Sequence, residues 1–149
     1  MMFRVLLAAL ACSLPVGTGL RAEEPEVKQE ELTELGEQME LMSSAFRRLR
    51  RQAAEPAYNE SSVELVAVIR TAATAAKTLA PGKAAELPEG ERAEFFAAYR
   101  ARMDEVIAKL DGLLAALRSG DNPAAVKLVA ELAALQKAGH REFRKRERD

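Results

Sequence analysis

Few side chains in this sequence offer nitrogen or sulfur to a transition metal, and none sits in a recognisable catalytic motif. Its 149 residues include one histidine, His140, and one cysteine, Cys12. No serine sits in the glycine-flanked turn of a hydrolase, and there is no Gly-rich phosphate loop. A single histidine cannot supply the two Glu-x-x-His pairs of a di-iron bundle. Cys12 lies in an apolar leader, so the remaining chain has no thiolate, disulfide, zinc–sulfur site or Cys-x-x-Cys-His attachment motif. That leaves a lone imidazole and a few thioethers, of which Met39 and Met103 sit in regularly spaced apolar rows. Imidazole and thioether are both ligands for transition metals, so the fold decides whether they meet.

The chain that must position them has a leader and one helical domain. Met1-Met2-Phe3-Arg4 followed by the apolar run Val5–Gly17 and Leu20-Arg21-Ala22 reads as a signal peptide spanning residues 1–22, cleaved near Ala22. The run is too short to span a bilayer, and Ala9-Leu10-Ala11 before Cys12 is a poor lipidation signal. Cleavage takes Arg4 and Arg21 away, leaving 20 of the 22 basic residues against 23 acidic ones, a net charge near −3. With the signs interspersed, this is the surface of a soluble protein and not of a nucleic-acid binder. Residues 23–149 suit one domain, and their wealth of Ala, Leu, Glu, Lys and Arg is helical.

Four amphipathic stretches follow. The first runs from about Pro25 to Arg51 with an apolar row Leu32, Leu35, Met39, Met42, Phe46 and Leu49, spaced alternately by three and four. The second opens on an expected capping box, Ser61-Ser62-Val63-Glu64, and carries Val66, Ile69, Ala73, Ala76 and Ala80. The third, Glu91–Arg118, carries Phe96, Tyr99, Met103, Val106, Leu110, Leu113 and Leu117. The fourth starts from Asn122 as cap with Pro123 behind it. It carries Leu128, Leu132 and Leu135 on to His140 and Phe143, and ends in the basic run Arg144–Arg148. Short connections between four such stripes predict an all-α, antiparallel up-down-up-down four-helix bundle.

In that topology the start of the first helix and the end of the fourth share one end of the bundle. Met39 and His140 then stand about 20 Å and about 12 Å from that end at about 1.5 Å per residue, levels at which both could reach one iron. Ala72, Ala73, Ala75, Ala76 and Ala80 leave space beside them, and Phe95, Phe96, Tyr99 and Met103 offer flat or soft groups suited to a porphyrin face. Each residue also has an ordinary reading. A methionine in an apolar row is core, and a histidine near a helix end complements the dipole. Spacing leaves these alternatives open.

Two segments, Leu35-Gly36-Glu37-Gln38-Met39-Glu40 and Leu132-Ala133-Ala134-Leu135-Gln136-Lys137-Ala138-Gly139-His140-Arg141-Glu142-Phe143-Arg144, resemble the first and last helices of the soluble cytochrome b562 family. Tyr99-Arg100-Ala101-Arg102-Met103-Asp104 is similar to that family's third helix, and Ile69-Arg70 with the following alanines to its second. The resemblance implies one non-covalent haem b per chain, with Met39 and His140 as its axial iron ligands. It also implies Tyr99 and Met103 in the haem pocket and Arg144 near the propionates, where pairing is charge-assisted. Gln136 and Gly139 depart from the family pattern, which has Arg and Tyr there, and this bears on affinity and potential more than on ligation.

A His/Met pair occupies both axial positions, leaving none for oxygen activation, and its thioether favours Fe(II). The expected function is single-electron transfer in the periplasm, without enzymatic turnover. The protein would work as a monomer and dock transiently with another redox protein. Two other readings stand beside it: a haem-free periplasmic binding protein or chaperone, and a haem bundle used for storage or weak peroxidase chemistry. The basic run Arg141–Arg148 reads as a solvated helix end before it reads as a docking patch.

Overall fold

From Thr33 onward the chain forms α1 (Glu34–Gln52), α2 (Asn59–Ala76), α3 (Glu89–Ser119) and α4 (Asn122–Phe143), with single 3-10 turns at Pro56–Tyr58 and Gly82–Glu86. The computed structural model describes residues 33–145. The leader, the start expected for the first helix at Pro25 and the end of the basic tail lie outside the described residues. The all-α expectation holds, with no strand among the described residues. No helix among them is long and apolar enough to cross a membrane.

The helix ends differ from expectation for identifiable reasons. Thr33 is extended (φ −61°, ψ 154°), and its hydroxyl accepts from the Gly36 N–H. It therefore caps a helix that starts at Glu34, with Glu34 and Glu37 at the positive end of the dipole. The expected capping box of α2 does not form, because the helix already begins at Asn59. The Ser61 hydroxyl donates to the Tyr58 carbonyl, while Ser62 is buried and accepts from the Gln52 amide at 2.9 Å. At its other end α2 stops at Ala76, and Ala80 is exposed in the loop. α3 begins two residues before the expected Glu91.

Gly120 closes α3 in the left-handed region (φ 74°), and the Asp121 N–H returns to the Ala116 carbonyl. The cap of α4 is then Asp121 and not Asn122. Its carboxylate accepts from the Ala124 N–H at 3.0 Å. Asn122 is thereby moved into the helix and buried, where its amide donates to the Ala53 carbonyl (2.9 Å) and to Asn59 (2.8 Å).

Consecutive helices pack against one another along their lengths. Leu49, Val66, Leu110 and Leu113 are wholly buried between them. Ion pairs flank two of these seams, Arg70–Asp111 and Lys77–Asp104 between α2 and α3, and Lys109–Glu131 between α3 and α4. On α4 the buried stripe is Ala125, Val129, Leu132 and Phe143, whereas Leu128 and Leu135 are half-buried at its margin. The backbones of α1 and α4 approach each other much less than those of any consecutive pair. Asn122 joins these two helices at the turn end, and the rest of their seam is the open side of the bundle.

Asn122→Ala leaves the Ala53 carbonyl and the Asn59 amide short of a partner. We expect it to lower stability by about 1–3 kcal/mol, seen as a lower urea midpoint at unchanged slope.

Candidate functional site

The end of the bundle opposite Asn122 brings together the first turns of α1 and the last turns of α4. The true helix limits place the two candidate ligands closer in height than the sequence suggested. Met39 follows Glu34 by five residues and His140 precedes Phe143 by three. At 1.5 Å per residue they stand about 8 Å and about 5 Å from that end.

Their angular positions follow from the neighbours each helix touches. On α4, Glu131 pairs with Lys109, Glu142 pairs with Arg102, and Gly139 lies against the Arg102 side chain, so this edge faces α3. His140 stands with Ala133 and Gln136 on the other side of the buried stripe, the edge that borders α1. On α1, Gln52 bonds Ser61 and Ser62 and so marks the edge facing α2. Met39, one heptad before the buried Phe46, is on the edge turned away from α2 and towards α4. It is half-buried and packs against the core. The His140 ring is exposed and has no hydrogen bond or ion pair among the described residues. By helical register, the thioether and the imidazole thus stand on the edges of α1 and α4 turned towards one another, each within about two turns of its helix end.

The wall beneath them is apolar and aromatic. Phe143 packs edge-on against both Tyr99 and Phe95, each with ring centroids 5.4 Å away. Tyr99, Met103 and Phe143 are buried, and Phe95 is half-buried. Ala72, Ala73 and Ala76 are buried as well, but the space these small residues leave on α2 belongs to Tyr99, whose hydroxyl donates to the Ala76 carbonyl at 2.9 Å. Ala75 and Ala80 are exposed and line nothing. Ser62 and Asn122, the buried polar residues among those described, are both at the far end of the bundle, so among the described residues no buried carboxylate or amide competes for a metal here.

Helix α4 ends on this wall. Arg144 is extended (φ −79°, ψ 136°) and its N–H returns to the His140 carbonyl, so the helix stops at Phe143 instead of running on into the basic tail. The loop after α2 fastens this end: the Lys83 ammonium donates to the Glu142 carbonyl, and Lys145 pairs with Glu86. The Arg102, Lys83 and Glu142 contacts were not legible in the sequence, because their partners lie 40 and 59 residues apart in the chain. Phe143 was visible there as an apolar position, but not as the residue that joins Tyr99 to Phe95.

These residues fit a haem. A histidine without a hydrogen-bond partner among the described residues and a half-buried thioether stand near the same end of the bundle, as do the rings of Phe95, Tyr99 and Phe143. The family model of cytochrome b562 matches residues 34–144, from the first residue of α1 to the one after α4. The chain belongs to the cytochrome b562 family, four-helix bundles that carry non-covalent b-type haem for electron transfer. Comparison with curated proteins and with solved structures gives no significant match.

Burial raises the pKa of the Tyr99 hydroxyl from 10.0 to about 12. The neutral phenol is therefore the form the fold favours, and its contribution is complete below pH 10 and lost as pH rises towards 12. Tyr99→Phe should lower the melting temperature at neutral pH, by the equivalent of about 1 kcal/mol. It should also flatten the fall in stability between pH 10 and 12, measured by thermal melts across that range.

Proposed function

We propose that this chain is an exported cytochrome that carries single electrons on one haem b, ligated by Met39 and His140. The observation that carries the proposal is the pairing of an unpartnered imidazole with a thioether at one level on the facing edges of α1 and α4. A haem held between two such ligands exchanges one electron between Fe(III) and Fe(II), with both axial positions filled.

The protein's part is to bind, orient and shield. Met39 offers its sulfur from a half-buried position, in a helix anchored through Phe46 and Leu49. His140 offers a ring nitrogen from a turn whose neighbour Phe143 is fixed in the aromatic cluster. Tyr99 and Met103 supply the dry wall, with the Tyr99 hydroxyl already bonded to α2 and so no competing donor. Arg144, at the end of α4, is the cation assigned to the propionates. Export rests on the leader reading of residues 1–22, and with it the periplasmic location. The partner is then a periplasmic redox protein met transiently by a monomer.

The test is an absorption spectrum of the protein expressed with its leader, oxidised and dithionite-reduced, beside Met39→Ala and His140→Ala. The wild type should be six-coordinate and low-spin, with sharp reduced α and β bands. Either substitution should convert the ferric form to high spin or abolish pigment. Removal of haem should lower the melting temperature, because a ligand bound only by the folded state stabilises it by mass action. A colourless wild type that takes up no added hemin would leave a bundle of this family without its cofactor, and the binding-protein reading would replace ours.

A further inference from the structure

A ligand histidine is ordinarily oriented by a hydrogen bond from its second ring nitrogen to a carboxylate, carbonyl or water. The His140 ring has no such partner among the described residues. The backbone of the turn that carries it then bears directly on its direction. That turn is weak by composition, because Gly139 immediately precedes the histidine and glycine is a poor helix residue.

Arg102 of α3 lies across this weak point. Its Cγ is 4.0 Å from where a Gly139 Cβ would stand, ordinary van der Waals distance, so the aliphatic stem covers the face that glycine leaves bare. The guanidinium then donates to Glu142, two residues beyond His140, at 3.3 Å, and to Glu105 of its own helix at 3.0 Å. One side chain thus touches α4 on both sides of the histidine. It is 31% exposed, which leaves most of it packed between the helices.

We propose that Arg102 is a positioning residue for His140, clamping the Gly139–Glu142 turn to α3 so that the imidazole is held towards α1. The inference rests on His140 being the ligand. A surface ion pair contributes little to global stability, so the clamp should be felt at the site and not in the fold. The stem and the Glu142 bond act together, which predicts a graded series. Arg102→Met keeps the stem and loses the bond; Arg102→Ala loses both.

The experiment is hemin titration of the haem-stripped protein, with ferric spin state and circular dichroism melting recorded for each variant. Arg102→Ala should weaken hemin binding by about tenfold, the low end for a residue supporting a metal ligand. It should also give a mixed high- and low-spin ferric spectrum. Arg102→Met should fall between it and the wild type. The hemin-free Arg102→Met protein should melt as the wild type does, and Arg102→Ala only slightly earlier, from the lost stem. Adding Gly139→Ala to Arg102→Ala should recover most of the affinity, because the new methyl meets nothing and stiffens the turn directly.

An Arg102→Ala protein with wild-type affinity and spin state, beside a His140→Ala protein that has lost the low-spin form, would overturn the clamp and leave the ligation standing. A hemin-free Arg102→Ala protein that melts much earlier would overturn it too, by assigning Arg102 to the fold. A low-spin spectrum retained by His140→Ala would remove the ligand, and the clamp with it.

Discussion

Asn122 ties three helices of the bundle together at one end. Its amide reaches the Ala53 carbonyl at the end of α1 and the Asn59 side chain at the start of α2, from the first turn of α4. With Gln52 bonded to Ser61 and Ser62, these groups form a polar lock across one end of the bundle. Buried amides are costly unless paired, and here no buried side-chain nitrogen or oxygen among the described residues lacks a partner. The lock ties the end of α1 to the start of α4, at the end of the bundle away from Met39 and His140. The opposite end is thereby free to remain open without the topology being in doubt.

That division of labour explains the uneven burial. The α1–α2, α2–α3 and α3–α4 seams close on the protein's own side chains, with Leu49, Val66, Leu110 and Leu113 at their centre. The α1–α4 seam does not, and Leu35, Met39 and Met42 stay half-buried along it. An apolar face of this kind gains from any apolar body that fits, at roughly 25 cal/mol for each Å² removed from water. On the proposed ligation, a planar macrocycle between Met39 and His140 would cover part of that face. Phe95, Tyr99 and Phe143 close the α3–α4 side of this end with edge-to-face ring contacts.

The helices and their order were legible in the sequence because the three-and-four spacing of Leu, Val and Ala is dense and has only one periodicity. Their ends were less so. Thr33, Ser61, Asp121 and Asn122 are all good cap residues, and choosing among them depends on tertiary contacts. Ser62 and Asn122 are drawn into the interior by partners on other segments, which leaves capping to Asp121 and opens α2 at Asn59. The site divides in the same way. Met39 and His140 could be picked out by residue type and height, and family resemblance gave them roles. The alanines of α2 read as empty space because the length of Tyr99, which fills it, cannot be judged from a different helix. Arg102 showed nothing unusual in sequence; its meaning comes from Gly139, 37 positions away in the chain.

The charges near that end bear on what kind of encounter the site could support. Arg141, Arg144 and Lys145 stand at the end of α4, while Glu86, Glu89, Glu91 and Glu94 lie on the neighbouring loop and the start of α3. Lys145 is already paired with Glu86, and Arg102 with Glu105 and Glu142. A surface of mixed sign makes no large field, so it lends little steering over distances beyond the Debye length, about 8 Å at physiological salt. Among the described residues, this end therefore presents no face of a single sign.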